Sequence, residues 1–329
     1  MMSLKNMFDK SKKLKPIGIQ TPEEQKENAP EEGSDPIDKP KTRTMWGDAW
    51  GRLSRNKLAI ASIIWIIFMI LVALTADLWV PQTLGNPTEI DSTTMAQCSR
   101  LPPSLEHPFG TDTLGRDVLC RVIYGARISL SVGVLATLIS TVIGLIMGSF
   151  SAYYGGIWDT LIMRLADIFL AFPYILFVIA MLAVIGPGIQ NVFLAIGILG
   201  WPSIARVFRS AILSVKSADF VDAARSMGAS DARIIMRHIF PNSVASIVVY
   251  STMNIGGAIL TESALSYLGM GVIPPDPSWG IMIQDGQIYL ATQPWLMIMP
   301  GLAILTTVLA FTLLGDGLRD ALDVKMKDA

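Results

Sequence analysis

Cysteine and histidine are nearly missing from this chain of 329 residues, which has two of each. Cys98 and Cys120 cannot build a disulfide framework or a four-cysteine zinc site, although a single bridge between them stays open. His107 has no neighbouring Cys or His in sequence and reads as a structural residue rather than a metal ligand. Charge is also scarce, at 16% against 51% apolar residues, which is too hydrophobic for a single water-soluble domain. A net charge of −1 therefore says little, and the placement of the charges says more. There is no Gly-rich loop with Gly-Lys, no His-Glu-x-x-His and no Gly-x-Ser-x-Gly, so no enzyme signature supports nucleotide hydrolysis by the chain itself. The first fifty residues lack the apolar core of a cleavable secretory signal, so the first hydrophobic run is expected to stay as an anchor.

What is present is a series of long apolar runs. Residues 1–44 are rich in Lys, Glu, Pro and Asp and read as a disordered cytosolic tail. The alternative is that the lysines around Leu14 and Ile17 touch anionic lipid. Residues 45–57 place Met45, Trp46, Trp50 and Leu53 at helical spacing, as expected of a short interfacial helix. Six stretches then reach spanning length, near 58–80, 128–150, 158–185, 192–208, 244–268 and 295–314. The fourth is interrupted by Gly197, Gly200 and Pro202. The expected class is an all-α polytopic membrane protein with six transmembrane helices. Lys and Arg crowd before the first span, between Arg206 and Arg237, and at Arg319, Lys325 and Lys327. The positive-inside rule puts both termini, with residues 321–329, and the 209–241 loop in the cytosol.

Residues 81–127 form the expected extracytoplasmic segment, a Pro-rich irregular half followed by a surface helix over 113–124 in which Asp117 and Arg121 pair at i, i+4. Residues 128–320 form the core with the other five spans. In the second span Ala136, Ser140, Gly144 and Gly148 recur every fourth residue, a stripe that lets backbones approach in lipid and marks a central packing helix. Pro274 to Gly280 cannot be helical, and 281–289 reads as a short amphipathic helix at the outer surface.

Two acidic residues lie inside spans. Asp167 is one turn from Arg164, which can neutralise it. Glu262 shares a face of span five with Ser251, Asn254, Ala258 and Thr261. Two readings stay open for this polar stripe: it lines a translocation path, with Glu262 meeting a peptide's amino group, or it is a helix–helix hydrogen-bond seam.

The remaining feature is a polar island, Asp222 to Pro241. Ser217 or Asp219 is expected to cap a helix ending at Met227, with Gly228 as the left-handed stop. Ser230 is expected to cap a second helix that Pro241 terminates. Asp222, Ala223, Ala224 and Arg225 then form the exposed end of a compact knob. Asp222-Ala223-Ala224, Gly228 and the closing Phe240-Pro241 resemble the EAA loop of ABC-transporter permeases, with Asp222, His238 and Phe240 departing from the usual Glu, Ile and Leu. His107 to Asp112, Leu114 to Asp117 and Arg127 to Leu130 extend the resemblance to the dipeptide/oligopeptide subgroup.

The resemblance implies a type I ABC importer permease in a bacterial or archaeal cytoplasmic membrane, with Phe220, Asp222, Ala223, Ala224, Arg225, Met227 and Gly228 contacting an ATPase. It implies a homologous second permease, two ATPase subunits that use ATP and Mg, an extracytoplasmic binding protein and a peptide substrate. No cofactor bound by this chain and no nucleic-acid partner are expected, and lipid surrounds it. Nickel chelates, glutathione or short sugars are the alternative cargoes within the family. A gradient-driven transporter or an intramembrane enzyme are the alternatives outside it.

Overall fold

The computed structural model describes residues 45–85, 88 and 98–322. The expectations for the 1–44 tail, for most of the Pro-rich half of the outer segment and for residues 323–329 lie outside the described residues. Within them the architecture is helical: α1 (Met45–Leu53), α2 (Lys57–Thr83), α3 (Val118–Tyr154), α4 (Gly156–Ala171), α5 (Tyr174–Ile185), α6 (Ile189–Lys216), α7 (Asp219–Ser226), α8 (Asp231–Ile234), α9 (Phe240–Tyr267), α10 (Trp279–Gly286) and α11 (Trp295–Leu322). Five helices are long and apolar enough to cross a membrane alone, and the α4–α5 pair makes a sixth span if counted together.

Helix starts follow local chemistry. The Asn56 side chain accepts from the amides of Leu58 and Ala59 at the head of α2, and Asp117 accepts from Cys120 at the head of α3. Along α2 the residues Ile64, Phe68, Leu71 and Leu78 remain exposed, the surface that a lipid solvent rather than water would cover.

Several boundaries differ from the sequence expectation, the smallest at α10, which takes in Trp279 and Gly280 because Ser278 caps it by accepting from the Ile281 amide. The separate surface helix over 113–124 does not form; α3 starts at Val118 and runs unbroken into the second span, because Gly125 and Ala126 do not stop a helix and Gly125 lets Trp279 lie close. Asp117 consequently spends its carboxylate on the cap and on His107 Nδ1, 2.9 Å away, and does not pair with Arg121. The third span is not straight: α4 and α5 meet at 88° across Phe172 and Pro173, where proline bars the continuing backbone hydrogen bond. The fourth span, by contrast, is continuous through Pro202, and the Ile196 and Gly197 carbonyls one turn earlier accept from Tyr174 Oη (3.0 Å) and Ser140 Oγ (2.8 Å).

The core is organised by α3. It runs antiparallel to α9, with Ser129 against Glu262, Gly133 against Ile259 and Thr141 against Ser251. It runs parallel to α6, and here the small-residue stripe does what its spacing predicts. Ala136, Ser140, Gly144 and Gly148 are all buried, and a Cβ on Gly144 or Gly148 would lie 2.7 Å from Ile204 or 2.6 Å from the Ala205 carbonyl. The two helices touch backbone to side chain with no clearance. Cys98 and Cys120 are both free thiols, Cys120 buried with its sulfur 3.4 Å from the Gly85 carbonyl oxygen.

Candidate functional site: the α6–α9 end of the bundle

The polar island folds as a knob set on the end of α6. Only Ser217 and Ala218 separate α6 from α7. The expected side-chain cap is not made: Ala218 occupies the N-cap, and Ser217 Oγ donates to the Ser214 carbonyl instead. The stop is as expected. Gly228 sits at φ +80°, its amide donates to the Arg225 carbonyl at 3.0 Å, and the Ala229 amide donates to the Ala224 carbonyl at 3.1 Å. Those two bonds form a complete Schellman closure, which satisfies carbonyls that the helix end would otherwise strand.

Val221 and Ala224 anchor the knob by packing on Phe208, Ile212, Ile234, Ile239 and Ile247. Ala224 is therefore not part of the exposed end, because it lies one turn from Val221 on the inward stripe. Asp222, Ala223, Arg225, Met227 and Gly228 are exposed, and Asp222 meets Arg225 at 3.4 Å. Phe220 is 47% exposed and Met227 82%, large apolar side chains held out beside paired charges.

Pro241 does not end the second helix. Ile235–Ile239 widens into a π turn and Phe240 starts α9 directly. A π turn is a common way to accommodate a break in the i→i−4 ladder. The Asn242 side-chain amide, 2.6 Å from the His238 oxygen, and Ser243 Oγ, 2.9 Å from the Ile239 oxygen, satisfy carbonyls near the proline. The knob thus connects without a flexible joint to α9 as well as to α6.

The polar stripe on α9 turns inward. Glu262 is fully buried, and Ser129 Oγ (2.8 Å), Ser266 Oγ (2.7 Å) and Ser263 Oγ (3.4 Å) donate to its carboxylate. Ser251 pairs with Thr141 at 2.9 Å, and Ala258 packs on the Val132–Ala136 region. These three lie in the α3–α9 seam, and of the two readings for the stripe this geometry matches the seam. Asn254 is partly buried, and Thr261 Oγ1 returns to its own helix at the Gly257 carbonyl. Asp167 pairs chiefly with Arg206 of α6, and Arg164 is farther at 3.6 Å.

The open face of α9 is a different one. Asn242, Ser246, Tyr250 and Met253 line a groove of about 1010 Å³ whose far walls are Val207 and Ser214 of α6, Phe220 of the knob and Arg319 of α11. An adjoining lobe of about 500 Å³ reaches Arg206 and Ser210. Sequence reasoning passed over this face, although Asn242, Ser246 and Tyr250 sit four apart and could have been read as a stripe. The stripe read from the sequence, with Glu262, lies on another face of the same helix.

A bundle of bent and straight apolar helices carrying a rigid polar knob between the fourth and fifth spans is the build of a type I ABC importer permease. Its fold matches the inward-facing MetNI methionine ABC transporter at a TM-score of 0.52, covering 62% of this chain and 96% of that one, with 19% identity. Residues 140–328 match the family described as the binding-protein-dependent transport system inner membrane component, and residues 44–103 match the N-terminal TM domain of oligopeptide transport permease C. The glutathione transport system permease protein GsiD of Escherichia coli O6:K15:H31 (strain 536 / UPEC) is 45% identical over 293 residues, which is 89% of this chain and 95% of that protein. The protein of the same name from Shigella boydii serotype 4 (strain Sb227) matches to the same extent. The chain belongs to the binding-protein-dependent transport family and is an inner-membrane permease subunit of an ABC importer. That membership sets aside the gradient-driven transporter and the intramembrane enzyme.

Proposed function

We propose that this chain forms one of two homologous spanning subunits of an importer of glutathione or other short peptides, and that it hydrolyses nothing itself. Two separate ATPase subunits would use ATP and Mg, and an extracytoplasmic binding protein would deliver the solute. Peptide cargo is supported by the match to the oligopeptide permease domain, and glutathione by the 45% identity to glutathione permeases. The observation that carries the coupling role is the Schellman-closed α7 knob, which presents Phe220, Met227 and the Asp222–Arg225 pair outward while rooted in both α6 and α9. ATP binding outside the chain would shift this knob and, with it, the equilibrium between two access states of the bundle.

Gly228 offers a direct test. Nothing lies within 4 Å of a Cβ built there, so a substitution acts through the backbone alone. Forcing a β-branched residue into the left-handed region costs on the order of 1–2 kcal/mol, whereas Asn tolerates it. Gly228→Val should insert and assemble yet lose ATP-dependent uptake in proteoliposomes, while Gly228→Asn should retain most of it. Normal uptake by the valine variant would sink the coupling assignment.

A further inference from the structure

The groove on the open face of α9 is a built polar surface whose charge runs one way. Among the described residues that line its two lobes there are two guanidiniums, Arg206 and Arg319, and no carboxylate. Arg206 is neutralised by Asp167. Arg319 is exposed and has no ion pair among the described residues. Ser210, Ser214 and Ser246 hold exposed hydroxyls on facing walls, and the Tyr250 phenol lies one turn from Ser246. Val249, Met253 and Phe220 supply apolar surface between them. The one carboxylate on the same helix that was a candidate for solute contact, Glu262, is sealed in the seam on the other side.

A site whose described lining offers a free guanidinium, several hydroxyl donors and no carboxylate, the nearby Asp167 being committed to Arg206, favours an anion, because each hydrogen bond to a charged acceptor is charge-assisted. The volume of the larger lobe, about 1010 Å³, is at the upper end of ordinary ligand sites and admits a tripeptide. We infer that this groove is a solute site that takes the carboxylate end of the transported peptide at the knob end of the bundle, with Arg319 as the charge partner and Ser246 and Tyr250 as orienting donors. The inference rests on the peptide-importer reading and adds to it a substrate class, carboxylate-bearing and net anionic, and a location distinct from the Glu262 stripe. Because Phe220 of the knob forms one wall, the site would change shape as the knob moves.

The test uses the assembled permease and ATPase complex, without its binding protein, in nanodiscs of uncharged lipid. Binding of tritiated glutathione is measured and chased with glutathione or its dimethyl ester. Saturable binding is expected that the free acid displaces and the ester does not. Arg319→Gln should weaken it about tenfold, the scale of one lost charge-assisted hydrogen bond. Arg319→Lys should keep most of it, and Ser246→Ala should weaken it a few-fold. Size-exclusion chromatography confirms assembly of each variant. No saturable binding to the unmodified complex, equal displacement by acid and ester, or unchanged affinity in Arg319→Gln would each overturn the site. If Arg319 instead serves lipid headgroup phosphates, Arg319→Gln leaves glutathione affinity unchanged and removes only the stabilisation given by anionic lipid. ATP-driven uptake with the binding protein restored is measured in parallel. Absent uptake overturns the importer reading, whereas normal uptake with unaltered binding in Arg319→Gln overturns only the site.

Discussion

Ser129 Oγ donates a 2.8 Å hydrogen bond to the Glu262 carboxylate, tying the second span to the fifth at a point where neither residue is exposed. The Ser266 and Ser263 hydroxyls of α9 itself complete the shell, so two helices meet on one acid. In a lipid-bounded interior such a carboxylate survives only because every donor around it is committed to it.

Glu262→Ala should therefore act on stability. It strips the acceptor from several buried hydroxyls, each costing about 1–3 kcal/mol when left unpaired, and the thermal midpoint of the assembled transporter in detergent should fall. Glu262→Gln keeps one acceptor oxygen and should fall less. A path-lining carboxylate predicts the reverse, an unchanged midpoint with altered uptake rate or solute preference.

The α3–α6 contact predicts a size limit. Gly148→Ala puts a methyl 2.6 Å from the Ala205 carbonyl oxygen. Overpacking of this kind costs about 1–3 kcal/mol, so lower yield and a lower midpoint are expected. Gly301→Ala, also inside a helix but with nothing within 4 Å, is the control and should be neutral or slightly stabilising. Equal behaviour of the two variants would discount the close approach.

Asp112 holds two guanidiniums at once. Its Oδ2 lies 2.8 Å from Arg116 Nε and 2.7 Å from an Arg121 terminal nitrogen, while Oδ1 accepts from the backbone amides of Leu114 and Arg116. Asp112→Ala leaves both cations buried without their main partner, a loss of about 3–5 kcal/mol. Thermal melting should register it, and adding Arg121→Met to Asp112→Ala should recover part of the loss.

Trp279 is the peg of the loop between α9 and α10. It is fully buried, and its Nε1 donates to the Val122 carbonyl at 2.9 Å, against the surface that Gly125 leaves open. Trp279→Phe removes that bond and leaves a void, about 1 kcal/mol for the bond alone. Amide hydrogen exchange over residues 281–286 of α10 should then speed up, and an unchanged exchange rate would count against the pegging role.

What the sequence made legible was whatever is written locally. The spacing of Ala136, Ser140, Gly144 and Gly148 revealed the packing face of α3, because small residues every fourth position leave few other uses in lipid. Gly228 marked the end of α7 for the same kind of reason, a backbone conformation that few residues adopt. The bend at Pro173 was not legible from span length and hydropathy, which record composition and not direction, although the proline marked where it falls. The role of the α9 stripe stayed open because a polar stripe in a span has two stable destinations, solvent or another polar stripe. The partner that Glu262 meets, Ser129 on α3, lies 133 residues away in sequence and leaves no local mark.

Because two residues separate the knob from α6, a π turn links it to α9, and α6 meets α3 with no clearance, the knob has no slack on any side. A push on α7 cannot be absorbed by one hinge or by loose side chains. Under the proposed coupling it would bear on α3, α6 and α9 together, which makes a three-helix block the smallest part that could move.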